Sequence, residues 1–269
     1  MSAELVGFHL KSSARSPIVS IVSSAFFWGL VSASSLVVGG LIASWVTLGK
    51  RTLGIVMGFG AGVLLSAVAY ELVYEAVHIA KLSGFPALGF FAGAFTFFFA
   101  DLLVGRMAGA PDETAGGAAQ SALIVPLVLG AILDGVPESV VIGLGVLQGG
   151  TVSVAMLVAV FISNIPESAA STAGMRADGW SRAKILLLWS TMALVFGAVS
   201  AAGYALLGGV SAHTLAVVQS FAGGAILMML ANTMIPEAYE RAGKLAGVAT
   251  VVGFAVAVTL VVLEHSGAG

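Results

Sequence analysis

Eight apolar stretches dominate this sequence: 18–48, 53–79, 87–107, 121–147, 151–175, 183–207, 213–239 and 245–263. A helix needs about 20 mostly apolar residues to cross a hydrocarbon core roughly 30 Å thick. Each stretch meets or approaches that length. Strand-type alternation is absent, and the runs are too long for barrel strands, so helices are expected. The connections, 49–52, 80–86, 108–120, 148–150, 177–182, 208–212 and 241–244, are too short to hold a soluble domain. The expected fold is an all-α polytopic membrane protein of eight transmembrane helices. It forms one domain over 18–263, with an N-terminal segment 1–17 and a tail 264–269. Lys11 and Arg15 precede the first stretch, and Val31-Ser32-Ala33 resembles a signal-peptide cleavage site. The apolar run continues to Leu48, well past the roughly 7–15 residues of a signal core, so a retained first helix is expected.

Composition agrees. Of 269 residues 59% are hydrophobic and 9% charged, with a formal net charge of -2. An average soluble domain carries roughly 25% charged residues. A cytosolic enzyme, a nucleic-acid binder and a disordered chain are all disfavoured. With no cysteine, thiolate metal sites and disulfides are excluded. No His-Glu-x-x-His, nucleophile elbow or phosphate loop occurs, so an enzyme is not expected.

Lys and Arg orient helical membrane proteins. With both termini outside, the inner side would hold Lys50, Arg51, Arg106, Arg176, Arg182, Lys184, Arg241 and Lys244. The outer side would hold only Lys11, Arg15 and Lys81, so this topology is expected.

The acids are distributed differently. Glu71, Glu75, Asp134, Glu138 and Glu167 fall within spans, and Asp101 and Glu237 lie toward span ends. An ionised acid within a span costs roughly 2.5–3.5 kcal/mol on insertion scales. No base is expected at the depth of the first five, so protons or a bound cation must neutralise them. Asp134 and Glu138 stand four apart on one helix face, and Ser163 and Glu167 repeat that spacing. Each Glu follows a proline, in Asp134-Gly-Val-Pro-Glu138 and Ser163-Asn-Ile-Pro-Glu167. Proline cannot donate to the carbonyl four residues back, so the Leu133 and Ile162 carbonyls are expected to be released at helix breaks. A third break is expected at Asn232-Thr-Met-Ile-Pro236-Glu237.

Residues 58–78 align with 220–240 at an offset of 162, matching Phe59/Phe221, Gly62/Gly224, Leu65/Leu227, Ala69/Ala231, Glu75/Glu237 and Ala76/Ala238. These helices run in opposite senses in the eight-helix count. That is the geometry of an inverted repeat, with helices 1–3 and 6–8 as halves and 4 and 5 between them. Gly58-x-x-x-Gly62 and Gly89-x-x-x-Gly93 suit close helix approach, but a chain with 35 glycines produces such pairs by chance.

Eight helices, outer termini and Pro-Glu motifs on helices four and five make the chain resemble the ZIP family of divalent-metal transporters. The Gly58-Phe59-Gly60-Ala61-Gly62 and Ile235-Pro236-Glu237 segments are also similar to that family. The resemblance implies a two-ion site between helices four, five and seven. Asp134, standing where the family has His, Glu138, Glu167 and Ser163 would be first-site ligands, with Glu167 able to bridge to the second ion. Gly135, Asn164 and Asn232 would occupy second-site positions. Gly135 replaces an Asn, Asn164 an acid, and Asn232-Thr233 an acid pair, so most second-site ligands are missing. Glu71 aligns with Thr233 and, with Glu75, is expected to stand in partly for the lost acids.

The expected function is therefore secondary transport of a divalent cation, zinc first and iron or manganese next, in the plasma membrane. The ion is substrate, and no organic cofactor is expected. An all-oxygen site itself suits harder ions such as Mn²⁺, Mg²⁺ or Ca²⁺. Lipid and metal ion are the expected partners, nucleic acid is not, and a homodimer stays open. Two alternatives also stay open: proton-coupled transport of another solute, and a transport-inactive scaffold or sensor. His78, three residues from Glu75, is expected to be a satisfied interfacial side chain, with a role as an entrance ligand as the weaker option.

Overall fold

The computed structural model describes residues 17–81, 83–108, 116–149 and 152–266. Lys11, Arg15, His9 and the 109–115 part of the third connection lie outside them. Eight helices are long and apolar enough to cross a membrane. They are α1 (Pro17–Trp45), α2 (Lys50–Ile79), α3 (Phe85–Ala108), α4 (Gly116–Gly149), α5 (Val154–Ala177), α6 (Arg182–Leu207), α7 (Ala212–Ala242) and α8 (Lys244–Ser266). Among the described residues there is no strand. The chain is a helical membrane protein, and the spans read from hydropathy agree with the helices to within a few residues. Ser153, Ser181 and Ser211 cap α5, α6 and α7, each accepting from the backbone N–H three residues on.

Two helices are irregular. A π-helical turn interrupts α2 at Val68–Tyr74, and another interrupts α7 at Leu230–Met234. The turns begin 162 residues apart, the same offset that relates the two sequences. Helices α4 and α5, by contrast, remain α-helical through Pro126, Pro137 and Pro166. The breaks expected at the Pro-Glu motifs are therefore missing hydrogen bonds inside continuous helices. The π turn of α2 contains no proline and had no signal in the sequence.

Packing follows the same offset. Helix α2 packs on α8 and α3 packs on α7; α1 packs on α6 and α5, and α6 on α4. Gly58 lies against Ala246 and Gly62 against Thr250, so α2 and α8 run parallel. Gly89 lies against Val217 and Gly93 against Phe221, so α3 and α7 also run parallel. A Cβ on Gly62 would overlap the Thr250 carbonyl oxygen, and one on Gly224 would overlap that of Phe90. Backbone touches backbone at both crossings, the contact that small residues permit in membranes. These glycine spacings, discounted from sequence as chance, are structural.

The main core lies where α2, α4, α5 and α7 meet, around Met57, Leu64, Ile142, Val160, Ile226 and Leu230. A second core packs α1 against α6 around Trp189, whose Nε1 donates to Thr172 Oγ1 at 2.9 Å. At one end of the bundle the described helix termini carry Lys50, Arg51, Arg106, Arg176, Arg182, Lys184, Arg241 and Lys244. We call this the basic end. Lys81 lies at the other.

Candidate cation site

Spacing decides which side chains meet. Asp134, Glu138, Val141, Gly145 and Gln148 follow intervals of four and three, so they form one stripe along α4. Met156, Val160, Ser163 and Glu167 form the matching stripe on α5. Where the stripes face each other, the carboxyl groups of Asp134 and Glu167 are hydrogen-bonding neighbours. Glu138 lies within electrostatic range of both and is only 3% exposed. Asp134 and Glu167 are half-buried. Two ionised carboxylates in contact repel strongly in a low dielectric, so a proton or a metal ion must lie between them. No Lys or Arg among the described residues forms an ion pair with these three acids.

Two further acids approach. Asp101 of α3 and Glu237 of α7 both act electrostatically on Asp134, and Glu237 also on Glu167. In the sequence these two lie toward span ends rather than at the depth of the other acids. Glu237 has its own base: Arg241, one turn on, donates from Nε at 3.0 Å. The repeat equivalent Glu75 instead accepts from an amide. Among the described residues, no three acidic or histidine side chains already converge closely enough to enclose a metal ion.

The other expected site residues separate into two groups. Ser163 is 1% exposed and donates to the Val160 carbonyl at 3.0 Å. A Cβ on Gly60 would lie 3.0 Å from the Ser163 Cα, which fixes α2 against this part of α5. Asn164 is 5% exposed. Both therefore lie within the packed protein, beside Pro166. Asn232, in the π turn of α7, is exposed. At Gly135 a Cβ would overlap the ring of Phe196 from α6. The place that the resemblance gives to an amide ligand is thus occupied by an aromatic ring, and glycine is required there.

Glu71 lines a cavity whose lining includes none of Asp134, Glu138 and Glu167. Glu71 lies in the π turn of α2, and the cavity, of about 240 Å³, is at the end opposite the basic one. Glu75, Gln148, Gln219 and Met156 also line this cavity. Gln219 is 2% exposed and ties three helices together. Its Nε2 donates to the Glu71 carbonyl at 2.7 Å and to Glu75 Oε2 at 3.1 Å, while its Oε1 accepts from Gln148 Nε2 at 3.0 Å. Gln148 and Gln219 went unremarked in the sequence. The available signal was simple: each is an uncharged polar residue in an otherwise apolar helix end. The cavity and the acids share the α4 and α5 stripes, but buried Val141, Met156, Ala159 and Val160 pack in the interval. His78 is satisfied locally: its Nδ1 lies 3.0 Å from the Tyr74 carbonyl, and its ring packs at a tilt against Tyr74. Neither protein-family models nor characterised protein sequences give a match to this chain.

Proposed function

We propose that the chain is a secondary transporter of divalent cations, zinc first and iron or manganese next. The observation that carries this reading is the Asp134–Glu167 contact, with Glu138 beside it and, among the described residues, no base paired to any of the three. A buried cluster of negative charge in a membrane helix pair is costly, and a transported cation offsets that cost when bound. Asp134, Glu138 and Glu167 supply the oxygens. Closure of α4 on α5 would complete a ligand set that the present arrangement leaves open. Ser163 would add a neutral oxygen by turning from the Val160 carbonyl. The place of Phe196 against Gly135 argues for one ion site rather than two.

The finer architecture belongs to the same reading. Exchanging helices 1–3 with 6–8 and 4 with 5 maps the α2–α8 contact onto α7–α3, and α1–α5 onto α6–α4. The π turns and the Gly62 and Gly224 crossings correspond at the same offset. These correspondences support a 3+2+3 inverted repeat. The basic end supports placing both termini outside, and a plasma membrane is the proposed location.

Purified protein in liposomes tests the function. Zn²⁺, Fe²⁺ or Mn²⁺ uptake should fall at least tenfold in Glu138→Ala and Glu167→Ala. Undiminished uptake in both variants removes the site. A carboxyl–carboxyl contact also favours a second reading, proton-coupled transport of another solute. Calorimetric titration with Zn²⁺, Mn²⁺ and Cd²⁺ separates the two, because only the metal reading gives binding that the Glu variants lose.

A further inference from the structure

A cavity of about 390 Å³ opens at the basic end, between the C-terminus of α1, the start of α2, the last turn of α5 and the first turn of α6. Its polar lining comes from Ser44, Trp45, Thr47, Arg176 and Arg182, and no acid lines it. Both guanidiniums are held. Arg182 donates from Nε to the Ser44 carbonyl at 3.0 Å, and its Cζ lies 5.2 Å from the centroid of the Trp45 ring, over its face. Arg176 donates from one terminal nitrogen to the Trp180 carbonyl at 3.0 Å. Each guanidinium has five N–H donors, so most remain directed elsewhere. Asp178, two residues from Arg176, forms no ion pair with either arginine. Lys50, Arg51 and Lys184 stand on the same helix ends.

Two oriented guanidiniums without a carboxylate form a receptor for a phosphate, which their planar forks match in two-point contacts. They also repel cations, so this cavity does not serve the acids of α4 and α5. The surroundings select the phosphate's source. Trp45 is 60% exposed at the helix end, the level at which tryptophan marks the membrane interface. Ala43, Leu53 and Ala173 make the rest of the wall apolar. The volume equals roughly a dozen waters at about 30 Å³ each, room for a phosphate with its glycerol.

We infer that this cavity binds the phosphate headgroup of an anionic phospholipid from the leaflet at the basic end. Basic pockets between helices on the positively charged side are suited to such headgroups. Arg182 provides the fork, held over the face of Trp45, and Arg176 closes the opposite side. The lipid would join α1 to α5 and α6, adding to the Arg182 contacts with Ser44 and Trp45 that already link α6 to α1.

Native mass spectrometry on the full chain in zwitterionic detergent tests this. The probes are phosphatidylglycerol, phosphatidylcholine with the same acyl chains, and inorganic phosphate. Phosphatidylglycerol should bind at least tenfold tighter than phosphatidylcholine, and the double variant R176Q/R182Q should lose at least that factor. Arg176 is exposed, so Arg176→Gln alone should fold normally and cost at least threefold. Arg182→Lys should fall between. Equal binding of the two lipids, or a preference unchanged in these variants, would overturn the inference. So would inorganic phosphate displacing the lipid at stoichiometric concentration, which would mark a free-anion site.

Discussion

Helices α4 and α5 carry prolines in their middle and stay α-helical; α2 carries none there and does not. The difference lies in what each irregularity changes. A proline removes one donor and leaves one carbonyl without its bond, while neighbouring turns hold the helix together. A π turn adds a residue to the turn, so every later side chain is rotated by roughly one helical step of 100°. In α4 and α5 the prolines deprive the Leu133 and Ile162 carbonyls of their usual donors without moving Glu138 and Glu167 off their stripes. In α2 the π turn presents the Glu71 carbonyl to Gln219 of another helix. Proline in this molecule marks local chemistry, and the π turns mark contact between helices.

That contrast predicts unequal consequences for acids on the two helix pairs. Removing Glu138 or Glu167 should have the largest effect, the loss of uptake of at least tenfold given above. Glu71→Gln should cost less than threefold, because Glu71 lines the cavity at the far end of the stripe. A loss as large as that of Glu138→Ala would place Glu71 at the ion after all. The trio variants should also remove a pH dependence. Carboxylates must be deprotonated to hold a metal, so uptake by the unmodified chain should fall as pH falls. Flux measured across a pH series checks the sign.

Next come the backbone crossings. Gly62→Ala and Gly224→Ala each force a methyl group onto a carbonyl of the neighbouring helix. Overpacking of this kind costs about 1–3 kcal/mol. The two variants should lower the thermal unfolding midpoint in detergent by similar amounts. A strong effect at one position and none at the other would break the equivalence of the two halves.

Much of the fold was legible because the bilayer imposes a simple rule: long apolar runs become helices. The acids on α4 were legible because spacing alone puts Asp134 and Glu138 on one face. Their meeting with Glu167 needed the helix packing, as did the approach of Asp101 and Glu237. The role of Gly135 was illegible for a different reason. A missing side chain cannot announce what fills its place, and only the structure brings Phe196 there. The glycine pairs carried no weight among 35 glycines, yet Gly62 lies against the Thr250 carbonyl and Gly93 against that of Phe221. The π turn at Val68–Tyr74 contains no proline and makes its contact with α7, more than 140 residues away, so no local pattern pointed to it.

The Gln219 junction tests what the π turn is for. Gln219→Leu removes donors to the Glu71 carbonyl and Glu75 and the acceptor for Gln148. Leaving such groups without partners costs about 1–3 kcal/mol each when they are buried. Glu75 is exposed and recovers water, so the loss should fall at the low end. Hydrogen exchange should rise in α2 around residues 68–76 and hardly change in α4 around 133–139.

The smallest effect on stability should come from Pro137→Ala. Alanine restores an N–H that can bond the Leu133 carbonyl, and α4 is already α-helical at this point, so no kink has to be undone. The midpoint of thermal unfolding should shift by no more than the equivalent of about 1 kcal/mol. Uptake distinguishes two uses of that carbonyl. If it serves as an oxygen for the ion beside Glu138, Pro137→Ala should cut uptake at least threefold in a protein of unchanged stability. If uptake stays the same, the acids alone hold the ion, and proline near Glu138 has no part in binding.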